Sequence, residues 1–294
     1  MFFVCDVGGT NLRMAVVDEE GVMHSKSRYP TPKDYEQFLQ LINKEFSERS
    51  KEFEISKCCF SVAGAVFGDN QVWLPNVFGS KRYNLISDLR KSLVGVEAFA
   101  IDDRAAGLLG ELWKGCAVGK KDVLYLIVGT GVGLGILANG VLISGHQGLA
   151  GSVGWIQFDD HLTGKSENIE KLISCPAILE RFRVVCETPL DRTEEVFELY
   201  KQGHSGAEVV VKQTATYLGD LLAIVANIFN PQMIVLAGSL ALQWGLLRAI
   251  TNDVLRERLS PAMEQPVVEA SFLGEDAQLF GCAKHILKST ERSE

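Results

Sequence analysis

No stretch of the 294-residue sequence runs to 18 uninterrupted apolar residues, about the length a bilayer-spanning helix needs. The start, MFFVCDVGG, has no basic segment ahead of its short apolar run, which breaks at Asp6, so neither a membrane span nor a secretory leader is expected. Basic charge is in deficit. Lys and Arg number 29 against 37 Asp and Glu, a net charge of −8, so no surplus of positive surface invites nucleic acid or anionic lipid. Any anionic ligand must be held by local groups. The cysteines (5, 58, 59, 116, 175, 186 and 282) are odd in number and lack C-x-x-C spacing, which argues against a disulfide framework and against a cysteine zinc site. A reducing cytoplasm is the expected setting. Proline is scarce at 8 residues.

Glycine is plentiful instead: 28 residues, about a tenth of the chain where about 7% is usual. Glycine without proline points to tight backbone sites inside regular structure. A hydrophobic share of 47% with 22% charged residues is ordinary for a globular protein and excludes disorder as the main state. The length suits two ordinary domains or one large one.

The first 29 residues read as three strands, from Phe2, Leu12 and Val22, joined by DVGGTN and EEG. Thr31 is a plausible N-cap with Pro32 at N1, and Tyr35, Phe38, Leu39, Ile42 and Phe46 recur at helical spacing. A strand from Ile55 and a helix capped by Ser87 follow, and the strand Val96 to Ile101 runs into Asp102-Asp103 and a helix through Trp113. A second meander then begins at Val123: strand, the turn GTGVG, strand, an Asn139-Gly140 hairpin and strand. It repeats the order of the first about 120 residues later, which implies an internal duplication. The remainder is helix-rich, with periodic stretches at 170–186, 207–229 and 240–256, and strands at 233–237 and 267–272. The expected division is a small domain of residues 1–104, with the C-terminal helix of about 281–294 added, and a large one of residues 105–280.

Asp6-Val7-Gly8-Gly9-Thr10-Asn11 places two glycines and a hydroxyl between strands, so that bare N–H groups can approach a phosphate. Asp6 could hold a hydrated Mg²⁺. Alone this is a plain hairpin turn; the repeat at Gly129-Thr130-Gly131-Val132-Gly133 makes it more specific. Gly238-Ser239, after the strand MIVLA, is a third glycine turn, suited to an adenine or ribose or merely to a strand–helix connection. In Asp102-Asp103 one carboxylate serves naturally as an N-cap. The other, Asp103, suits a general base, because adjacent carboxylates raise one pKa.

DVGGTNLRMAVVD resembles the first phosphate motif of bacterial glucokinases and of the ROK (repressor, open reading frame, kinase) family, within the actin-like sugar kinases. VLYLIVGTGVGLGILANG is similar to the second phosphate motif, AIDDRAAGLLGE to the Asn-Asp segment, PQMIVLAGS to the adenosine motif and LGEDAQLFGCA to the closing helix. The matches keep the family's order from Asp6 to Ala283. The resemblance implies an α/β fold of two ribonuclease-H-like (actin-like ATPase) domains with a central cleft, and an ATP- and Mg²⁺-dependent hexose kinase. Gly8, Gly9, Thr10, Thr130 and Gly131 would lie on phosphates, Gly238 by the adenosine, Gly64, Asn76 and Glu170 on the sugar, and Asp103 would be the catalytic base. Asp102 stands where the family has Asn. Glucose is the default substrate, with N-acetylglucosamine, N-acetylmannosamine or glucosamine as alternatives. A cytoplasmic homodimer is expected by the same resemblance.

One segment departs from the family. In GHQGLAGSVGW the usual glutamate has become Ser152 and the usual histidine, a zinc ligand in relatives, has become Trp155. With the zinc cysteines missing as well, no structural zinc is expected. Trp155 could stack on a sugar face or be core; His146 and Arg13 are weaker candidates. The departures also allow a sugar-sensing regulator without chemistry, although the sequence begins at the first strand without a DNA-binding helix-turn-helix. An actin-like ATPase with a protein partner is the third alternative.

Overall fold

A computed structural model describes residues 1–68 and 71–291. It divides the chain into two compact units: Met1–Gly119 with Leu142–Ala150 and Phe272–Glu294, and Lys120–Val141 with Gly151–Ser271.

In the first unit, β1 (Phe2–Val7), β2 (Asn11–Val17) and β3 (Met23–Pro30) form the expected meander. Helix α1 (Tyr35–Arg49), β4 (Lys57–Val62), α2 (Leu85–Ser92), β5 (Glu97–Asp102) and α3 (Asp103–Lys114) follow. The sheet order is β3-β2-β1-β4-β5, antiparallel within the meander and parallel from β1 onward. β1 is buried on both faces, which is why it reads as an unbroken apolar run. Phe3, Cys5 and Val7 join one core with Phe38 and Ile42 of α1. Phe2 and Val4 join the other with Ala106 of α3 and Cys282 of the C-terminal helix, Ala277–Glu291.

That second layer explains why the unit extends beyond the expected boundary at residue 104. α3 was expected to open the large domain. It packs instead against the C-terminal helix so closely that a Cβ on Gly281 would lie 1.7 Å from the Ala106 carbonyl oxygen, and one on Gly110 2.1 Å from that of Ala277. Glycine at both crossing points lets the two backbones touch, and α3 stays with the first sheet.

The second unit contains β6 (Val123–Val128), β7 (Val132–Ala138), β8 (Val141–Leu142, whose Leu142 begins the first unit's loop), helices α4 (Cys175–Cys186) and α5 (Ser205–Phe229), β9 (Met233–Ala237), α6 (Trp244–Arg258) and β10 (Val267–Ala270). Its sheet order is β8-β7-β6-β9-β10, with β6 and β7 antiparallel and β9 parallel to both β6 and β10. This is the order of the first sheet, as the internal repeat implied. α5 is long and apolar enough to cross a membrane by length and composition, yet 67% of its most apolar window is buried inside the protein. Its apolar length is used in core packing.

Three helix starts differ from expectation. α1 begins after Asp34, whose side chain accepts from the Gln37 N–H at 2.9 Å, rather than after Thr31, because Thr31 is drawn into the first glycine turn. α2 starts at Leu85, after Asn84, and not at Ser87. The periodic stretch 170–186 breaks at Ser174, which caps α4 by accepting from Ala177 N–H at 3.3 Å just ahead of Pro176.

Candidate active site

Each unit carries a glycine turn between its first two strands, and the two turns are wired alike. In the first, the Gly8 N–H donates to the Asn11 carbonyl at 3.0 Å, closing the turn, and the Gly8 carbonyl accepts from the Thr31 hydroxyl at 2.7 Å. In the second, the Gly129 N–H donates to the Gly131 carbonyl at 3.0 Å, and the Gly129 carbonyl accepts from the Cys175 N–H at 2.8 Å. The first glycine of each turn therefore spends its N–H internally, against the expectation that Gly8 and Gly129 offer theirs to phosphate. The next two N–H groups, of Gly9 and Thr10 and of Thr130 and Gly131, donate to no acceptor among the described residues. Two unspent donors on a pinned turn are of the kind an anion could accept from.

Lys33 braces the first turn, its ammonium donating to the Gly9 carbonyl at 2.6 Å and to the Asn76 carbonyl at 2.9 Å. Asn76 itself is exposed on the short helix Pro75–Phe78. The Asn11 side-chain oxygen accepts from Arg28 Nε at 3.1 Å, so this residue is engaged in structure.

Asp6, near the carboxyl end of β1, and Asp102-Asp103, at that of β5, flank β4 on the edge of the sheet where open α/β sheets place their ligands. Asp6 is buried; Oδ2 accepts from Arg13 Nη1 at 2.8 Å and Oδ1 from the Ser61 hydroxyl at 3.1 Å. Burial pushes its carboxyl up and Arg13 pulls it back, with burial the larger effect. Each carboxylate oxygen has a second lone pair, so Asp6 fits a hydrated Mg²⁺ held through water. No group of three or more metal-ligating side chains gathers among the described residues, so such an ion would take its remaining ligands from water and from a ligand's own oxygens. Arg13 also reaches Glu275 at 3.0 Å and is a structural partner.

Asp102 is the N-cap of α3: its Oδ1 accepts from the Ala105 N–H at 3.1 Å and from Arg104 Nε at 2.9 Å. Asp103, the first helical residue, has no side-chain hydrogen-bond or ion-pair partner among the described residues, and the Arg104 N–H donates to it. Its carboxyl is pushed up to about 7, chiefly by burial and next by the neighbouring Asp102 charge, while Arg104 pulls the other way. A carboxylate poised near neutrality and free of a side-chain partner has the properties of a general base.

In the second unit Glu170 supports the turn: its Oε2 accepts from the Val132 N–H at 2.9 Å and would lie 3.0 Å from a Cβ on Gly131. The sugar role implied for Glu170 thus falls on a side chain with one oxygen already committed to the second glycine turn. Gly238, with φ of +79°, presses on β6, where a Cβ would lie 2.4 Å from the Val128 carbonyl oxygen. Ser239 follows it and opens a 3₁₀ turn, Ser239–Gln243. Ser152 precedes another, Val153–Trp155, which presents Trp155 with 71% of its surface exposed. That exposure excludes the alternative that Trp155 is core. Gly64 sits where the backbone of Trp73 passes so close that a Cβ would lie 1.8 Å from its carbonyl oxygen. His146 is exposed.

Three residues of this architecture were not singled out from sequence: Thr31 as a turn clamp, Lys33 as a turn brace, and Arg104. Only Arg104 left a readable trace, as a cation two residues after an aspartate that stands in place of an amide.

Two α/β units of one topology, each with a pinned glycine turn, define the actin-like ATPase fold. The solved ROK glucokinase of Streptomyces griseus, in complex with glucose and AMPPNP, shares it with a TM-score of 0.79 at 23% identity, covering 97% of this chain and 98% of that one. The ROK family profile matches residues 3–289, and the chain belongs to the ROK family. The N-acetyl-D-glucosamine kinase of Haemophilus influenzae is 28% identical over 293 residues, 90% of this chain and 94% of the relative. The glucokinase of Halalkalibacterium halodurans is 26% identical over 311 residues, 94% and 92% of the two chains. The protein is a kinase of the sugar-kinase class.

Proposed function

We propose that the protein transfers the γ-phosphoryl group of ATP to a hexose hydroxyl, with the 6-hydroxyl of glucose as the first candidate. The observation that carries this is Asp103: a carboxyl raised to about 7 at the carboxyl edge of a parallel sheet, in the same unit as a pinned glycine turn. Asp103 accepts the proton of the sugar hydroxyl as its oxygen forms a bond to the γ-phosphorus. The bond from that phosphorus to the bridging oxygen breaks, and its electron pair leaves with ADP. The free N–H groups of Gly9, Thr10, Thr130 and Gly131 serve phosphate oxygens, where fixed donors stabilise developing charge without reorganising. Gly238 and Ser239 serve the adenosine. Mg²⁺, bound through water at Asp6, would neutralise phosphate charge.

On the acceptor side, Asp102 keeps Oδ2 uncommitted for a sugar hydroxyl, with Gly64 and Asn76 in the same unit. In the other unit the exposed indole of Trp155 offers an aromatic plane to the C–H face of a pyranose, and Ser152 leaves room where a glutamate is usual. The amino-sugar alternative rests on these two departures and on the N-acetyl-D-glucosamine kinases among the relatives. Coupled ADP release over a panel of glucose, mannose, glucosamine, N-acetylglucosamine and N-acetylmannosamine tests both. No stimulation by any of them, together with tight sugar binding in calorimetry, would establish the sugar-sensing alternative instead.

A further inference from the structure

The sugar-kinase reading leaves Arg104 without a role, although it is one of the few buried charged side chains, 7% exposed. Its guanidinium reaches three places at once. Nε donates to Asp102 Oδ1 at 2.9 Å, Nη1 to the Ala150 carbonyl at 3.3 Å, and Nη2 to the Gly148 carbonyl at 3.5 Å. The last two lie on the loop Gly145–Ala150, in which the Ala150 N–H also donates to the Ser144 carbonyl at 3.0 Å. Gly148, with φ of +72°, lies against β-strand residue Val66, where a Cβ would stand 2.4 Å from the carbonyl oxygen. The loop is therefore seated between the segment just after Gly64 and the Asp102-Asp103 corner, the two places assigned to the acceptor sugar. The planar guanidinium presents its donors in a rigid fork, so one side chain can hold a carboxylate and two carbonyls together. Its charge also offsets the carboxylate that replaces the family's Asn at position 102.

We propose that Arg104 is a positioning residue for the acceptor sugar, holding Asp102 against the helix start while docking the Gly145–Ala150 loop. This rests on the sugar-kinase reading. Asp102 Oδ1 is kept occupied by Arg104 and the Ala105 N–H, so that Oδ2 faces the ligand in one orientation. The docked loop, with His146 and Gln147 exposed on it, forms a fixed wall beside the acceptor. A lysine cannot replace the planar fork, because one ammonium does not span a carboxylate and two separate carbonyls.

The test combines steady-state kinetics with amide exchange of the loop, on the full chain with ATP and its best sugar from the panel. In Arg104→Lys and Arg104→Gln the sugar KM should rise by at least about tenfold while the ATP KM stays within about twofold, and residues 146–150 should exchange faster. Adding Asp102→Asn to Arg104→Gln removes the uncompensated carboxylate, and should bring the sugar KM part of the way back without restoring loop protection. An unchanged sugar KM overturns the proposal, as do an unchanged loop or parallel rises in both KM values with a lowered Tm. If the unaltered protein releases no ADP with any sugar, the kinase reading fails separately. The comparison then passes to calorimetric sugar Kd: a tenfold weakening in Arg104→Lys upholds the positioning role, and an equal Kd or no sugar binding overturns it.

Discussion

Gly281 and Ala106 meet backbone to backbone, with no space for even a methyl group between the C-terminal helix and α3. Because α3 carries Asp103 as its first residue, this crossing sets where the candidate base stands. Gly281→Ala should cost about 2–4 kcal/mol, within the range of overpacked or backbone-displacing substitutions, and should lower kcat as well. Gly245→Ala is the control: a Cβ there meets nothing within 4 Å on α6, and helix propensity alone should stabilise by about 0.5–1 kcal/mol. Urea unfolding of the two variants measures both. A neutral Gly281→Ala would show that the helices separate easily.

Asp103→Asn keeps the shape and removes the base. Turnover should fall by about 10²–10⁴, with nucleotide affinity by calorimetry changed less than about threefold. Loss of nucleotide binding would assign Asp103 to structure.

The raised carboxyl also fixes two pH dependences of opposite sense. Asp103 acts only when ionised, so kcat should climb as pH rises through about 7 and level off above it. For stability the sign reverses: the folded state binds this proton more tightly than the unfolded chain, whose ordinary value is 3.8. Stability therefore falls between about pH 4 and pH 7. Asp103→Asn removes that loss, so its Tm should match the parent near pH 4 and exceed it at pH 8. A Tm lowered at pH 8 would contradict the burial of the charge.

Glu170→Ala separates two roles for one side chain. It frees the Val132 N–H beside the second turn, so nucleotide KM should rise several-fold, whereas a purely sugar-binding glutamate would raise the sugar KM alone.

Trp155→Ala should leave Tm within about 1 °C, since an indole this exposed contributes little packing. The sugar KM should rise by about fivefold or more if the ring covers a pyranose face. An unchanged sugar KM would remove Trp155 from the acceptor site.

Much of this was readable in the residues. Short apolar runs punctuated by turns, the paired glycine turns and Asp102-Asp103 at a strand end are all local patterns, and the meander strands and their turns lie where they were expected. The unit boundary was not local, because α3 has no sequence mark saying that its partner helix comes from more than 160 residues away. Nor was the start of α1: Thr31, the expected N-cap, donates to the Gly8 carbonyl instead, and Asp34 caps the helix.

By itself the sequence determined which groups are present: two glycine turns, carboxylates at the ends of two strands, and an indole and a serine in the segment Ser152–Trp155. Tertiary structure alone decided which of those groups are already spent. Gly8 and Gly129 close their own turns, Asp102 caps a helix, Glu170 holds Val132, and Arg104 fastens a loop, leaving Asp103 without a side-chain partner among the described residues. The reason is physical. A side chain's chemistry is fixed by its covalent structure, but its pKa and free hydrogen-bonding capacity depend on burial and on neighbours that only the folded chain supplies.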